Sequence, residues 1–441
     1  MAEQVDDQIA RALGANLPAP PPVALSEPAT LPSYFDTTGL ATASVRAAAA
    51  ELAAWRGARG AEVSQRRALM WFNMTLRPQG WALPGLWDAV AGDYPCADGW
   101  VRLHTNAPHH RAAALSVLGC APDRAAVAEA VAGWGKTALE TAIVGAGGCA
   151  AAMHSLADWA DHPQGRAVAA APLIAWEVAG EGPKTGGGRL RVLDLTRVLA
   201  GPVATRFLAG FGAEVLRIDP PGWDEPGVIP EVSVGKRRAT LDLRRSEDRA
   251  TFTELLRGAD VLVHGYRPGA LAGLGFDRDA RRALNPGLID VSLCAYGWQG
   301  PWAERRGFDS LVQMSCGIAD AGMRLAGAAK PVPLPVQALD HGTGYLMAAA
   351  VLRALRLRAA TGQAMAARLS LARTAALLVG QGTRACDGAA PVETDADLAP
   401  EIAHTGWGPA RRVAFPVTLD GAGPRWPVPA GPLHSHPARW A

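Results

Sequence analysis

The chain has 441 residues, 49% of them hydrophobic and 19% charged, and carries a formal net charge of +2. That length and apolar content support two domains with a large core, and they exclude a disordered protein. The near-neutral balance points neither to nucleic acid nor to a membrane surface.

The first residues, Met1-Ala2-Glu3-Gln4-Val5-Asp6-Asp7, are acidic and lack the basic-then-apolar pattern of a signal peptide. No apolar run has the length needed to span a bilayer, so a cytoplasmic location is expected. Six scattered cysteines with no C-x-x-C spacing read as buried thiols, without a disulfide framework or a zinc site. No metal site is expected.

In chain order, the run Pro18-Ala19-Pro20-Pro21-Pro22 predicts an extended leader. An alanine-rich helix is predicted over residues 40–55, ending near Gly57 and Gly60. Residues 71–93, rich in Trp, Pro and Gly, suit an irregular packed loop. A turn and short strand follow at 98–104, then helices near 108–118, 123–132, 136–144 and 155–159. Residues 183–188 (Pro-Lys-Thr-Gly-Gly-Gly) form the clearest linker in the chain.

Beyond that linker the texture changes. Strands are predicted at 190–195, 214–218, 259–264 and 288–293, with a helix over 203–211 after the first. Short apolar runs separated by helix-length segments argue for an α/β fold with a Rossmann-like parallel sheet. A last helix is expected over the apolar run that starts at Tyr345. We therefore divide the chain into a leader with a fused segment (1–94), a smaller, mainly helical domain (95–182), the sheet domain (189–378) and a wrapping tail (379–441). The order of helix, basic segment and apolar end over 40–72 faintly echoes that over 345–378.

Two stretches carry candidate chemistry. After the first strand, Thr196-Arg197-Val198-Leu199-Ala200-Gly201-Pro202 leads into a helix whose amino end is a ready anion site, with Pro202 suited to its first turn. Taken alone it is an ordinary strand–helix turn. Basic residues recur later at Lys236-Arg237-Arg238 with Arg244, at Arg267 beside Tyr266, and at Arg305-Arg306. Each cluster by itself reads as solvated surface; together they could converge at the carboxyl edge of the sheet and hold a polyphosphate, with Tyr266 against an aromatic ring. The second stretch, Pro335-Val336-Gln337-Ala338-Leu339-Asp340-His341-Gly342-Thr343-Gly344, places Asp340 in the turn before the last helix. The plain reading of such an aspartate is a helix cap.

These residues resemble the family III CoA-transferases. The resemblance rests on the segment from Arg191 to Pro202, on Phe211 to Ile218, and on Gly235-Lys236-Arg237-Arg238 before Leu241-Asp242-Leu243. Arg267-Pro268-Gly269-Ala270-Leu271, Arg306-Gly307-Phe308-Asp309 and Gln337 to Gly344 continue it in family order. It implies that Asp340 is the nucleophile and that CoA contacts fall on Arg197, Val198, Leu199, Ala200, Leu241, Arg244, Tyr266, Arg267 and Arg306. Gly265 and Gly273 depart from the family pattern.

Coenzyme A is then a substrate and no cofactor is held permanently. The carboxylate would attack an acyl-CoA thioester, and an incoming carboxylic acid would leave as the new acyl-CoA. Backbone N–H groups near Gly342 and Gly344 are expected to hold oxyanions; His341 is a weaker candidate. Three alternatives stay open. A related racemase or epimerase is disfavoured because Phe308 stands where such enzymes carry a histidine. A CoA-dependent lyase and a non-catalytic CoA-binding pseudoenzyme are the others. The domain order looks rearranged, with small-domain-like residues first. An interlocked homodimer is expected, since the family forms such dimers and Trp71, Trp81 and Trp426 lie in irregular stretches that would need a partner. The competing arrangement is a monomer whose amino-terminal half mimics the partner.

Overall fold

A computed structural model describes residues 4–14, 16–182 and 189–441; the linker expected at 183–188 lies outside the described residues. Seven strands form the central sheet: β1 (Ala175–Glu181), β2 (Arg191–Leu195), β3 (Glu214–Asp219), β4 (Lys236–Thr240), β5 (Val261–His264), β6 (Ile289–Cys294) and β7 (Gln363–Ser370). Their spatial order is β4-β3-β2-β5-β6-β7-β1. Every neighbouring pair is parallel except β7 with the edge strand β1. The interior of β2, β3, β5 and β6 is buried on both faces, which suits their mostly apolar residues; the charged exceptions Asp194, Arg217 and Asp290 are ion-paired. Strand order reverses between β2 and β5, and in open parallel sheets the crevice at such a reversal is where ligands bind.

Strand β4 was missed in the sequence because Lys236-Arg237-Arg238 reads as a charged loop. Its charges are paired internally. Lys236 lies 2.9 Å from Asp194, and Arg238 donates to the carbonyls of Pro429 and Pro432 in the tail. This cluster therefore holds the fold and does not present itself to a ligand.

Four helices matter for the site: α1 (Thr37–Arg56), α2 (Ala200–Gly210), α3 (Asp309–Ser315) and α4 (Ala338–Thr361). Helix α4 is buried on all sides over residues 338–355, the behaviour of a helix that is apolar all round. It packs against α1, α2 and β7. It also begins before Asp340, which occupies its first turn and not the preceding loop. Among the described residues no helix is long and apolar enough to cross a membrane.

Residues Gly92–Cys96, Gly99–Leu103 and Ala150–Ala152 make a separate antiparallel sheet. Helices Pro108–Leu118, Arg124–Ala132 and Lys136–Gly145 cover it around a core that includes Val101, Leu103, Val127 and Leu139. Strand β1, counted with this segment in the sequence, hydrogen-bonds instead into the central sheet.

The tail runs back over the amino-terminal segment. Gly408–Arg412 pairs with Leu76–Pro78, and Val417–Leu419 pairs with Ala61–Ser64. Trp71 is fully buried, donates from Nε1 to the Ala414 carbonyl at 2.9 Å and lies 6.0 Å from the Trp426 ring. Trp81 donates to the Pro409 carbonyl and stacks on Trp407. These aromatic side chains pack within one chain, so they do not call for a partner.

Candidate active site

The turn after β2 is shaped by two unusual backbone positions. A Cβ on Gly201 would meet the Thr196 side chain at 2.3 Å, so only glycine fits there. Val198 has a φ of 61°, a left-handed conformation that β-branched residues avoid. It is held by Glu225, whose Oε1 accepts the Val198 N–H at 2.9 Å, and Glu225 is itself paired with buried Arg217. Beneath the turn, Asp194 accepts from the hydroxyls of Thr196 and Thr205 as well as from Lys236. Burial alone would raise the Asp194 pKa, but Lys236 and Arg217 bring it below the usual carboxylate range.

This scaffold fixes Arg197 with its guanidinium 4.0 Å from the Trp223 ring centre and 5.5 Å from that of Tyr266. Arg197 and Tyr266 stand on the two sides of the strand-order reversal, after β2 and after β5. Between them opens a cavity of about 370 Å³. Of the nucleophile and the nine CoA contacts that the resemblance implies, Arg197, Val198, Ala200, Tyr266, Arg267, Arg306 and Asp340 line it.

Three others do not. Leu199 turns into a small cluster with Ile229, Val232 and Leu433. Leu241 is buried with Leu193, Leu216 and Phe252. The Arg244 side chain is 77% exposed and forks onto Asp242.

Asp340 is 6% exposed. Its backbone N–H donates to Asp309 Oδ2 at 2.9 Å, and Asp309 Oδ1 accepts from the Gln313 amide. Asp309, on α3, thus occupies the free N–H groups at the start of α4. Burial, and then the like charge of Asp309, raise the Asp340 pKa well above its ordinary value; burial raises Asp309 as well. Two carboxyl groups buried together cannot both ionise freely.

The oxyanion expectation for Gly342 and Gly344 is overturned. Both lie inside α4, where N–H groups bond to carbonyls one turn back, and neither lines the cavity. Gly344 serves packing instead: a Cβ there would sit 2.4 Å from the Ala200 carbonyl oxygen, so its absence lets α2 approach. His341 faces away, stacked on Phe72 at 5.2 Å, and burial pushes its imidazole down to about 3.

Sequence reasoning missed two groups. Asp309 was quoted only as part of a motif. His109 and His110 reach the cavity from the helix Pro108–Leu118, and their one signal was two adjacent histidines behind Pro108 at a helix start. His110 packs edge-on to Phe308, whose other neighbour His104 stacks on it at 3.6 Å.

Residues 189–410, half of the chain, match the model of CoA-transferase family III. The chain belongs to that family. Family III relatives include the acetyl-coenzyme A transferase nodX of Hypoxylon pulicicidum, 34% identical over 209 residues, which are 46% of this chain and 33% of that protein. The probable fatty acyl-CoA transferase Rv3272 of Mycobacterium tuberculosis is 35% identical over 188 residues, 40% of this chain and 47% of that one. A formyl-CoA:oxalate CoA-transferase of a Bradyrhizobium strain is 32% identical, covering 40% and 43%. The matched stretches thus span less than half the length of these family III relatives. A crystal structure of Rv3272 aligns with a TM-score of 0.40 at 35% identity, over 44% of this chain and 54% of that one.

Proposed function

We propose that this chain is a CoA-transferase that moves CoA from an acyl-CoA to a carboxylic acid through a covalent intermediate on Asp340. One observation carries the reading: the Asp340 carboxyl lines the same crevice as Arg197 and Tyr266, at the reversal of strand order. The names of its family III relatives, all acyl-CoA or CoA transferases, agree with that class of reaction.

In this reading Arg197, Arg267 and Arg306 take the phosphates of CoA, and Tyr266 offers its ring to the adenine. An Asp340 oxygen attacks the thioester carbonyl, and the C–S bond breaks to leave CoA thiolate and a mixed anhydride. The thiolate then attacks the aspartyl carbonyl, the anhydride C–O bond breaks, and the donor acid departs as its carboxylate. An aspartyl-CoA thioester remains. The acceptor carboxylate reverses both steps and leaves as the new thioester, restoring Asp340. Attack requires the ionised carboxylate, so the raised pKa ties turnover to the fraction of Asp340 that has lost its proton.

A second reading has gained one observation. Racemisation at the α-carbon was disfavoured because Phe308 cannot move protons, yet His109 and His110 bring imidazoles into the cavity from the small domain. Incubation with an acyl-CoA and hydroxylamine separates the two. A hydroxamate on Asp340 supports transfer; α-deuterium uptake from solvent without hydroxamate supports racemisation and overturns the transferase reading. Binding of CoA with neither result leaves a non-catalytic protein.

We place this activity in the cytoplasm. The expected homodimer loses its strongest physical argument, since Trp71, Trp81 and Trp426 all find hydrogen-bond partners within one chain. The competing monomer is then the better reading, and light scattering at low micromolar concentration tests it: a single-chain mass supports it, a doubled mass restores the dimer.

A further inference from the structure

His110 is 3% exposed, and neither Nδ1 nor Nε2 has a hydrogen-bond partner among the described residues. Among the described residues, several other buried histidines have one ring nitrogen that is both buried and without a partner, whereas His110 has two, and of these histidines His110 lines the cavity that holds Asp340. A buried polar atom without a partner is costly, so such atoms in a native fold call for a bonding partner. Around the ring the protein presents Phe308 at 6.0 Å and His109 at 4.1 Å between ring centres, and neither contact supplies a hydrogen bond to it. His109 itself is exposed at the rim.

Given the reading of this cavity as an acyl-CoA site, the geometry points to His110 as the residue that selects the acyl group. It hydrogen-bonds an oxygen carried next to the carboxyl carbon, so that the acids exchanged are short hydroxy or oxo acids and not plain hydrocarbon acids. Burial, and then the neighbouring His109 and Arg306, push the imidazole down to about 4. At neutral pH the ring therefore offers one N–H donor and one lone-pair acceptor. A hydroxyl group can engage either nitrogen, whereas a hydrocarbon chain satisfies neither. The cavity of about 370 Å³ also has to admit the thioester end of CoA, which leaves room only for a short acyl group.

The test uses the full chain and two matched pairs of acids, lactate with propionate and 2-hydroxybutyrate with butyrate. Transfer from acetyl-CoA should favour the hydroxylated member of a pair by at least about tenfold in kcat/KM, expressed mainly in KM. His110→Phe should abolish that preference, and His110→Gln, which keeps a donor and an acceptor, should restore part of it. An unchanged preference in His110→Phe, or none in the natural protein, overturns the inference while leaving the transferase reading standing. If no acid is turned over, calorimetric titration with lactoyl-CoA and propionyl-CoA reads the same preference without chemistry. Tighter lactoyl-CoA binding, lost in His110→Phe, would then uphold the role of His110 although the transferase reading had failed. Equal binding of the two thioesters would overturn it. Should His110→Phe fail to fold, His110→Leu takes its place in both assays.

Discussion

Two regions of this molecule are built alike and end differently. In each, a long helix closes on a left-handed glycine, a strand follows, and a serine at its end caps a second helix. The amino-terminal unit is α1, Gly57, Ala61–Ser64 and Gln65–Met70; the other is α4, Gly362, β7 and Leu371–Val379. Ser64 accepts from the Arg67 N–H, and Ser370 from the Arg373 N–H. Each strand has a parallel neighbour on one side and an antiparallel one on the other. The helices α1 and α4 pack against each other. Both units also carry an aspartate at the start of the first helix.

The aspartates have different fates. Asp36 caps α1 by accepting the Gly39 N–H at 2.8 Å, and pairs with Arg384 at the surface. Asp340 sits one turn deeper, and its helix start is already capped by Asp309. Its carboxyl is therefore released from capping, and Asp340 lines the cavity. The contrast comes from the surroundings. Ala61–Ser64 belongs to a sheet of three strands, whereas β7 belongs to one of seven that contains a reversal of strand order. A carboxylate at a helix start caps the helix unless a second carboxylate takes over that task.

The sharpest way to break the comparison is to remove both aspartates in turn. Asp340→Ala should lower turnover at least about a thousandfold with CoA binding retained, because the nucleophile and not the arginine cradle is lost. Asp36→Ala should keep turnover and cost about 0.5–2 kcal/mol of stability as a lost cap. Steady-state rates and denaturant melts on both variants check this, and near-normal turnover of Asp340→Ala would sink the mechanism.

The glycines of α4 come next. Gly344→Ala should destabilise by about 1–3 kcal/mol, because its Cβ meets the Ala200 backbone oxygen. Gly342→Ala, whose Cβ would meet only Leu40 side-chain atoms at 3.4 Å or more, should be neutral or stabilise by up to about 1 kcal/mol. Thermal unfolding would show the two variants moving apart; equal shifts would contradict the packing described.

The Asp309 effect is smaller and concerns pH. Asp340 must be ionised to attack, so turnover rises as pH climbs through its raised pKa. Asp309→Asn removes the like charge, lowers that pKa and moves the acid limb of kcat/KM to lower pH. In the natural protein the same raised values favour the protonated pair in the folded state. They therefore subtract from stability as pH rises above the unfolded carboxyl range, and Asp309→Asn should flatten that decline. A limb that stays in place would show that Asp309 acts on position alone. Smallest of all, Ser64→Ala and Ser370→Ala should each cost about 1 kcal/mol in denaturant melts. A gap of several kcal/mol between them would show that the two units are not equivalent scaffolds.

Much of the sheet was legible because its signal is local. The apolar runs at Val192, Val215, Val261 and Ile289 mark strands buried on both faces, and Gly201-Pro202 marks the tight turn into α2. The opposite held at Lys236-Arg237-Arg238, where charge hid a strand, since the Lys236 counter-ion is Asp194 and the Arg238 hydrogen-bond acceptors lie in the tail. Gly342 and Gly344 misled for a related reason. Glycine before an apolar run reads as a loop, and only the approach of α2 to within contact of Gly344 shows why a helix tolerates it.

The sequence by itself determined the parallel α/β class and the turn at Arg197, which are properties of neighbours in the chain: short apolar runs and a glycine–proline turn. The candidacy of Asp340 came from the resemblance to family III, because a carboxylate at the head of an apolar helix reads by itself as a cap. Tertiary structure alone decided which basic residues face the crevice and which are spent on internal ion pairs, since a side chain's charge is local but its partner is not. It also decided that Asp309 lies against Asp340 and that His110 enters from the distant helix Pro108–Leu118. Burial and proximity change the chemistry of a titratable group most, and both are created only when distant segments meet.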